Sequence, residues 1–351
     1  MINRVAWVDH AKGAGILLVV YGHVARGVHK AGLPMDEGLF RLVDSVIYSF
    51  HMPLFFFLSG LYFVTSLQKH GAGGLMASKL RTIAWPYLVW SVLQGLLEVL
   101  LSSSTNGNVT VAEVASLLWH PRAQFWFLYA LFLISLAALP LYRWLPSRWY
   151  PLAVVASGLA FVFSDYLPGG MPLVFLIRYL PYFTLGILFN EMVGRRQVAR
   201  YLALRAGAAL AAFVAFQYVF HGRLDLLYST EHHALALSLA VVSVLAVVML
   251  CMWLERFGLG FLAYLGRASL GIYVMHILAG SGVRIVMQRV LGIDSVAAHL
   301  VLGTALGVGL PLLALRLMER FGPGFLLELP RRHAPGELAR ITLPASGGTK
   351  N

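Results

Sequence analysis

Ten largely apolar stretches run through this 351-residue chain, and they decide what it can fold into. They lie near Asp9–Val28, Val46–Leu67, Ile83–Leu101, Phe125–Trp144, Pro151–Phe163, Leu173–Asn190, Ala203–Phe220, Leu235–Leu254, Ser269–Val290 and Ala297–Met318. Inside hydrocarbon a backbone must satisfy its own hydrogen bonds, so each stretch is predicted to be a helix. Only 12% of the residues are charged, against about 25% in a soluble domain. Mean hydropathy is +0.76. The expected fold is all-α: a polytopic membrane helical bundle of about ten transmembrane helices. The fifth and sixth are short and interrupted by Pro168, Gly169, Gly170 and Pro172. No soluble domain fits between the spans.

The net charge of +12 does not point to nucleic acid, because the basic residues sit in short segments between apolar runs. With the N-terminus placed in the cytoplasm, 19 of the 27 lysines and arginines fall on the cytoplasmic side and 8 on the other. The positive-inside rule then predicts that both termini are cytoplasmic. The first apolar run follows only MINR and lacks a clean cleavage site, so it is expected to be a retained span. Residues 1–328 are expected to form the membrane domain. Residues 329–351, rich in Pro, Gly, Ser and basic side chains, are expected to form a flexible cytoplasmic tail near anionic lipid. The single cysteine, Cys251, allows no intramolecular disulfide.

Ionisable groups inside membrane segments are costly and face a partner or a polar cavity. The first span carries Asp9, Lys12 and His23. Lys12 and His23 are eleven residues apart, about three helical turns, so they share a face roughly 16 Å apart. The second span holds His51 within SFHMPLFFFLSG. Pro53 predicts irregular backbone around His51, and Ser59-Gly60 a patch where another helix approaches closely. The ninth holds Tyr273 and His276, three apart on one face, with Ser269 placed to cap its start. Each histidine is either satisfied by a neighbouring helix or functional. None pairs at i,i+4 with a carboxylate, so no metal is expected. Glu98, Arg178 and Glu191 lie near span ends. No GxSxG, P-loop, HExxH or dinucleotide fingerprint occurs.

Taken in order, these motifs resemble the acyltransferase family 3 membrane proteins. Asp9-x-x-Lys12-Gly13-x-Gly15-Ile16-Leu17-Leu18-Val19-Val20-x-Gly22-His23 is close to that family's opening signature. His51-Met52-Pro53-Leu54-Phe55-Phe56-Phe57-Leu58-Ser59-Gly60 is similar to its second motif. Phe125-Trp126-Phe127-Leu128, Tyr182-Phe183-x-x-Gly186 and Ser269-Leu270-Gly271-Ile272-Tyr273-x-x-His276 resemble the later ones. Together they cover about residues 4–290. The resemblance implies O-acylation, usually acetylation, of a glycan or lipid-linked sugar, with acetyl-CoA as donor, in the bacterial cytoplasmic membrane. Exopolysaccharide is the favoured acceptor, and polysaccharide-assembly proteins are candidate partners. His23, His51 and His276 are the implied catalytic residues, His23 foremost, as general base or as an acetyl carrier. Lys12, Tyr273 and Arg178 are the implied donor-binding residues. Lys12 stands where the family more often has arginine, so it brings a point charge and not a planar fork. A transporter or flippase, or a non-catalytic export subunit, is the rival expectation.

Overall fold

A computed structural model describes residues 6–100, 110–195, 201–228 and 232–330. Among these the structure has twelve α-helices and no strand: α1 (Ala6–Lys30), α2 (Glu37–Leu61), α3 (Phe63–Lys79), α4 (Trp85–Leu100), α5 (Val111–Ala115), α6 (Trp126–Trp144), α7 (Tyr150–Val162), α8 (Leu173–Arg195), α9 (Leu202–Gln217), α10 (His233–Leu254), α11 (Gly260–Ile285) and α12 (Val296–Phe321). The chain is an all-α polytopic membrane bundle. Nearly all of the expected tail, residues 331–351, lies outside the described residues.

Every one of the ten apolar stretches is helical, and eight helical runs are long and apolar enough to cross a membrane. The other two differ for separate reasons. Helix α7 has 13 residues and spans about 20 Å, short of the ~30 Å hydrocarbon layer. Helix α1 is long enough but carries Asp9, His10, Lys12, His23, Arg26, His29 and Lys30. It tolerates them because it is an interior helix, enclosed by α2, α10, α11 and α12.

Two expectations about helix edges are corrected. The backbone around His51 is regular: α2 runs unbroken through Pro53. Membrane helices accommodate proline where neighbours cover the freed backbone groups, and here His51 and Pro53 are fully buried. Ser269 caps nothing, because α11 begins at Gly260 and continues past it. The cap at the other boundary of α2 follows the usual chemistry: Asp36 Oδ1 accepts from the Leu39 amide at 2.7 Å. Ser295 does the same for α12.

Close crossings between glycines hold the bundle together. A Cβ on Gly13 of α1 would lie far inside 3.0 Å of the Leu262 carbonyl of α11, and one on Gly266 of α11 would meet the Asp9 carbonyl of α1. Helices α2 and α8 repeat the arrangement: Gly60 faces the Phe183 carbonyl and Gly186 faces the Phe57 carbonyl. Small residues at such contacts let backbones meet where apolar burial gives no preference for protein over lipid. Gly60 is the close-approach patch that Ser59-Gly60 predicts. Around the crossings lies an aromatic core in which Phe56 stacks on Tyr179 (4.5 Å) and Phe127 meets the edges of Phe56 (4.9 Å) and Tyr273 (5.5 Å).

Candidate functional site

The α1–α11 crossing sets the register that brings two histidines together. From Gly13 and Gly266 both helices run toward the same end of the bundle. His23 and His276 therefore arrive side by side, ring centroids 5.1 Å apart. Tyr48 of α2 closes the group, with its ring 6.5 Å from His23 and 4.5 Å from His51. The three histidines from three spans thus form one cluster.

Their hydrogen bonds assign different capacities to each ring. His276 Nδ1 lies 2.7 Å from the Tyr273 carbonyl, and His51 Nδ1 lies 2.8 Å from the Ile47 carbonyl. A carbonyl only accepts, so the proton of each neutral ring is on Nδ1 and the Nε2 lone pair is left for other use. His276 Nε2 is buried and has no hydrogen-bond partner among the described residues. A buried acceptor of this kind costs free energy until a donor reaches it. In this tautomer His276 can accept from a hydroxyl but cannot donate to an oxyanion. His51 is buried behind Tyr48, one layer back from His23 and His276.

His23 and His276 lie at the inner end of a cavity of about 530 Å3 whose other walls include Arg26, Glu98, Arg122 and Arg284. Its rim carries the exposed side chains of Arg26 and Lys30. Arg26 bonds both carboxylate oxygens of Asp44 (2.6 and 2.7 Å), and its guanidinium lies 3.2 Å over the Tyr48 ring. Arg122 pairs with Glu98 at 2.7 Å, and Glu98 also accepts from Gln94 at 2.7 Å. Gln94 accepts in turn from Gln124 at 2.7 Å, and the Tyr273 hydroxyl donates to the Gln124 carbonyl. This chain ties α4, the segment before α6, and α11 into one wall. Glu98→Ala is expected to leave Arg122 half-buried without its carboxylate and to destabilise the protein by about 2 kcal/mol. The thermal unfolding midpoint in detergent measures it, and an unchanged midpoint would contradict the role given to this wall.

The other sequence candidates fall elsewhere. Lys12 is half-buried near the opposite end of α1, within electrostatic range of Lys79 of α3. Between Lys12 and His23 the same face carries Ile16 and Val19, both buried in the core. Tyr273 is buried, and its hydroxyl is committed to the Gln124 carbonyl. Arg178 lines a separate cavity of about 190 Å3 with Ser164, Asp165 and His233. That trio looks like a serine–histidine–aspartate relay but is not arranged as one. Asp165 bonds His233 Nε2 at 3.0 Å, and the Ser164 hydroxyl is within 3.5 Å of both ring nitrogens, which leaves no separate base position. Arg26, Arg122 and Arg284 were missed as site residues. The spacing held a signal for two of them, because Arg26 lies three residues after His23 and Arg284 eight after His276 on continuous helices.

The family model for an acyltransferase domain matches residues 5–316. Nodulation protein NolL of Mesorhizobium japonicum (strain LMG 29417 / CECT 9101 / MAFF 303099) is 29% identical over 207 residues, covering 55% of this chain and 49% of that protein. The chain thus spans about half the length of the curated relative it matches. No solved structure matches.

Proposed function

The chain belongs to the acyltransferase family whose domain model covers residues 5–316, and from that membership we propose that it moves an acetyl group from acetyl-CoA to a sugar hydroxyl of a bacterial surface polysaccharide or its lipid-linked precursor. Exopolysaccharide is the favoured acceptor. The observation that carries the reading is the His23–His276 pair at the inner end of a cavity with arginines in its walls, with His276 Nε2 buried and unpartnered among the described residues. Such a pair suits the removal of a proton from a hydroxyl nucleophile.

In the proposed reaction the acceptor oxygen attacks the thioester carbonyl carbon while His23 takes the hydroxyl proton. The tetrahedral intermediate collapses with cleavage of the carbon–sulfur bond. The imidazolium of His23 returns the proton to the departing CoA sulfur. His276 Nε2 accepts from the N–H of the neutral His23 ring and holds that ring in line for the hydroxyl. His51 acts one layer out, against Tyr48, as a positioning residue.

The orientation is part of the proposal: both termini are cytoplasmic and the membrane is the inner one. Lys12 and Lys79 then lie on the side that holds CoA, and the cavity rim at Lys30 lies on the other. Donor and acceptor approach His23 from opposite ends. The donor's route requires Ile16 and Val19 to yield, since both fill the face between Lys12 and His23.

The test uses the full-length protein in liposomes with acetyl-labelled acetyl-CoA and a lipid-linked glycan. The expected result is label on the glycan, with free CoA released in equal amount. Glycan that changes leaflet while the label stays on CoA would establish the flippase reading instead. Glycan that neither moves nor gains label would leave a non-catalytic subunit.

A further inference from the structure

The cavity around His23 and His276 carries more positive charge than its own carboxylates balance. Arg26 is neutralised by Asp44, and Arg122 by Glu98. Arg284 has no such partner among the described residues. Its side-chain hydrogen bond goes to Gln288 at 3.5 Å, and the charge that acts on it is a like one, Arg289. The residue is nonetheless only 9% exposed and lines the cavity. A guanidinium withdrawn from water without an anion is costly, and the cost is recovered when an anion arrives. Arg122 adds to this. It lines the same cavity, and its Nε and Nη1 are buried without a hydrogen-bond partner among the described residues, so Glu98 alone offsets its charge. Lys30 supplies an exposed ammonium at the rim.

The geometry points to an anion subsite in this cavity, centred on Arg284, that holds a carboxylate or phosphate group of the acceptor glycan. Arginine is suited to such groups because its planar fork gives two parallel hydrogen bonds to one anion. Arg284 lies eight residues beyond His276 on the continuous helix α11, about 12 Å along its axis. An anionic group held there leaves the ring bearing the reacting hydroxyl between the subsite and the imidazole pair. The acceptor class is therefore an acidic glycan, or one attached through a phosphate ester, and not a neutral one. This assignment to the acceptor rests on the acyltransferase reading, in which the donor comes from the Lys12 end. The CoA phosphates are the other source of the same chemistry.

Binding separates the two sources without requiring turnover. Dissociation constants are measured by microscale thermophoresis on the full-length protein in detergent. The probes are methyl glucoside, methyl glucuronide, glucose 1-phosphate and CoA. The two anionic sugars are expected to bind at least about tenfold more tightly than the neutral one. Arg284→Gln is expected to erase that preference and leave CoA affinity unchanged, and Arg284→Lys to restore part of it, which also shows that the site still folds. Equal binding of neutral and anionic sugars by the parent protein overturns the inference. So does a preference that survives Arg284→Gln, or a loss in that variant that falls on CoA. If the preference behaves as expected but the parent protein transfers no label in liposomes, the acyltransferase reading fails and the anion subsite stands.

Discussion

His23→Ala lowers acetyl transfer by 10²–10⁴-fold, the range set by the removal of a positioned general base. His276→Phe lowers it comparably, because phenylalanine keeps the ring volume and loses Nε2. These are expected results, and their combination is more telling than either alone. If the two imidazoles act as one proton-handling unit, the double variant loses no more than the worse single variant. If they act on separate steps, the losses multiply. The 5.1 Å separation of the rings and the bare Nε2 of His276 favour the first outcome. His276→Phe gives up the Nδ1 bond to the Tyr273 carbonyl but none at Nε2, so its unfolding midpoint should fall by no more than a few degrees. The affinity for acetyl-CoA should also be kept, because Lys12 and Lys79 are unaffected. Full transfer by His23→Ala would remove the catalytic assignment.

Why the sequence yields this pair but not its surroundings follows from the physics of helices. His23, His51 and His276 were readable because an imidazole in an apolar run is costly in any packing arrangement. Their distances were not readable, because they depend on which glycine of which helix meets which backbone. Gly13 and Gly266 each look like one small residue among the 34 glycines, and only the crossing shows that they are reciprocal contacts. The interior position of α1 was partly visible in its seven ionisable side chains. Hydropathy alone reports a poor span, and only the neighbours α2, α10, α11 and α12 show why it is tolerated. The cavity arginines come from segments far apart in sequence, and in the sequence they stand only as charges on one side of the membrane. Proline at position 53 misled because its local preference against helix is overridden when tertiary neighbours enclose the segment.

The largest stability effect is expected at the crossing that places the pair, in Gly266→Ala. The added methyl would stand inside the van der Waals envelope of the Asp9 carbonyl, a backbone atom that cannot rotate away. The two helices must then part locally. Overpacking of this kind costs typically 1–3 kcal/mol, and a crossing that fails at Gly266 also loosens its reciprocal contact at Gly13. The consequence reaches the chemistry, because α1 and α11 carry the two imidazoles on rigid continuous helices about 15 Å from the crossing. A displacement of about 1 Å at a reacting group is enough to cost 10²-fold in rate. Gly266→Ala should therefore lower the unfolding midpoint in detergent and reduce turnover by about that factor, although it touches neither substrate. Gly309→Ala on α12 is the matched control. Its Cβ meets nothing within 4 Å among the described residues, so it should be neutral or, by the better helix propensity of alanine, slightly stabilising. If Gly266→Ala matched the parent in both midpoint and turnover, the close α1–α11 crossing would not be what sets the His23–His276 geometry.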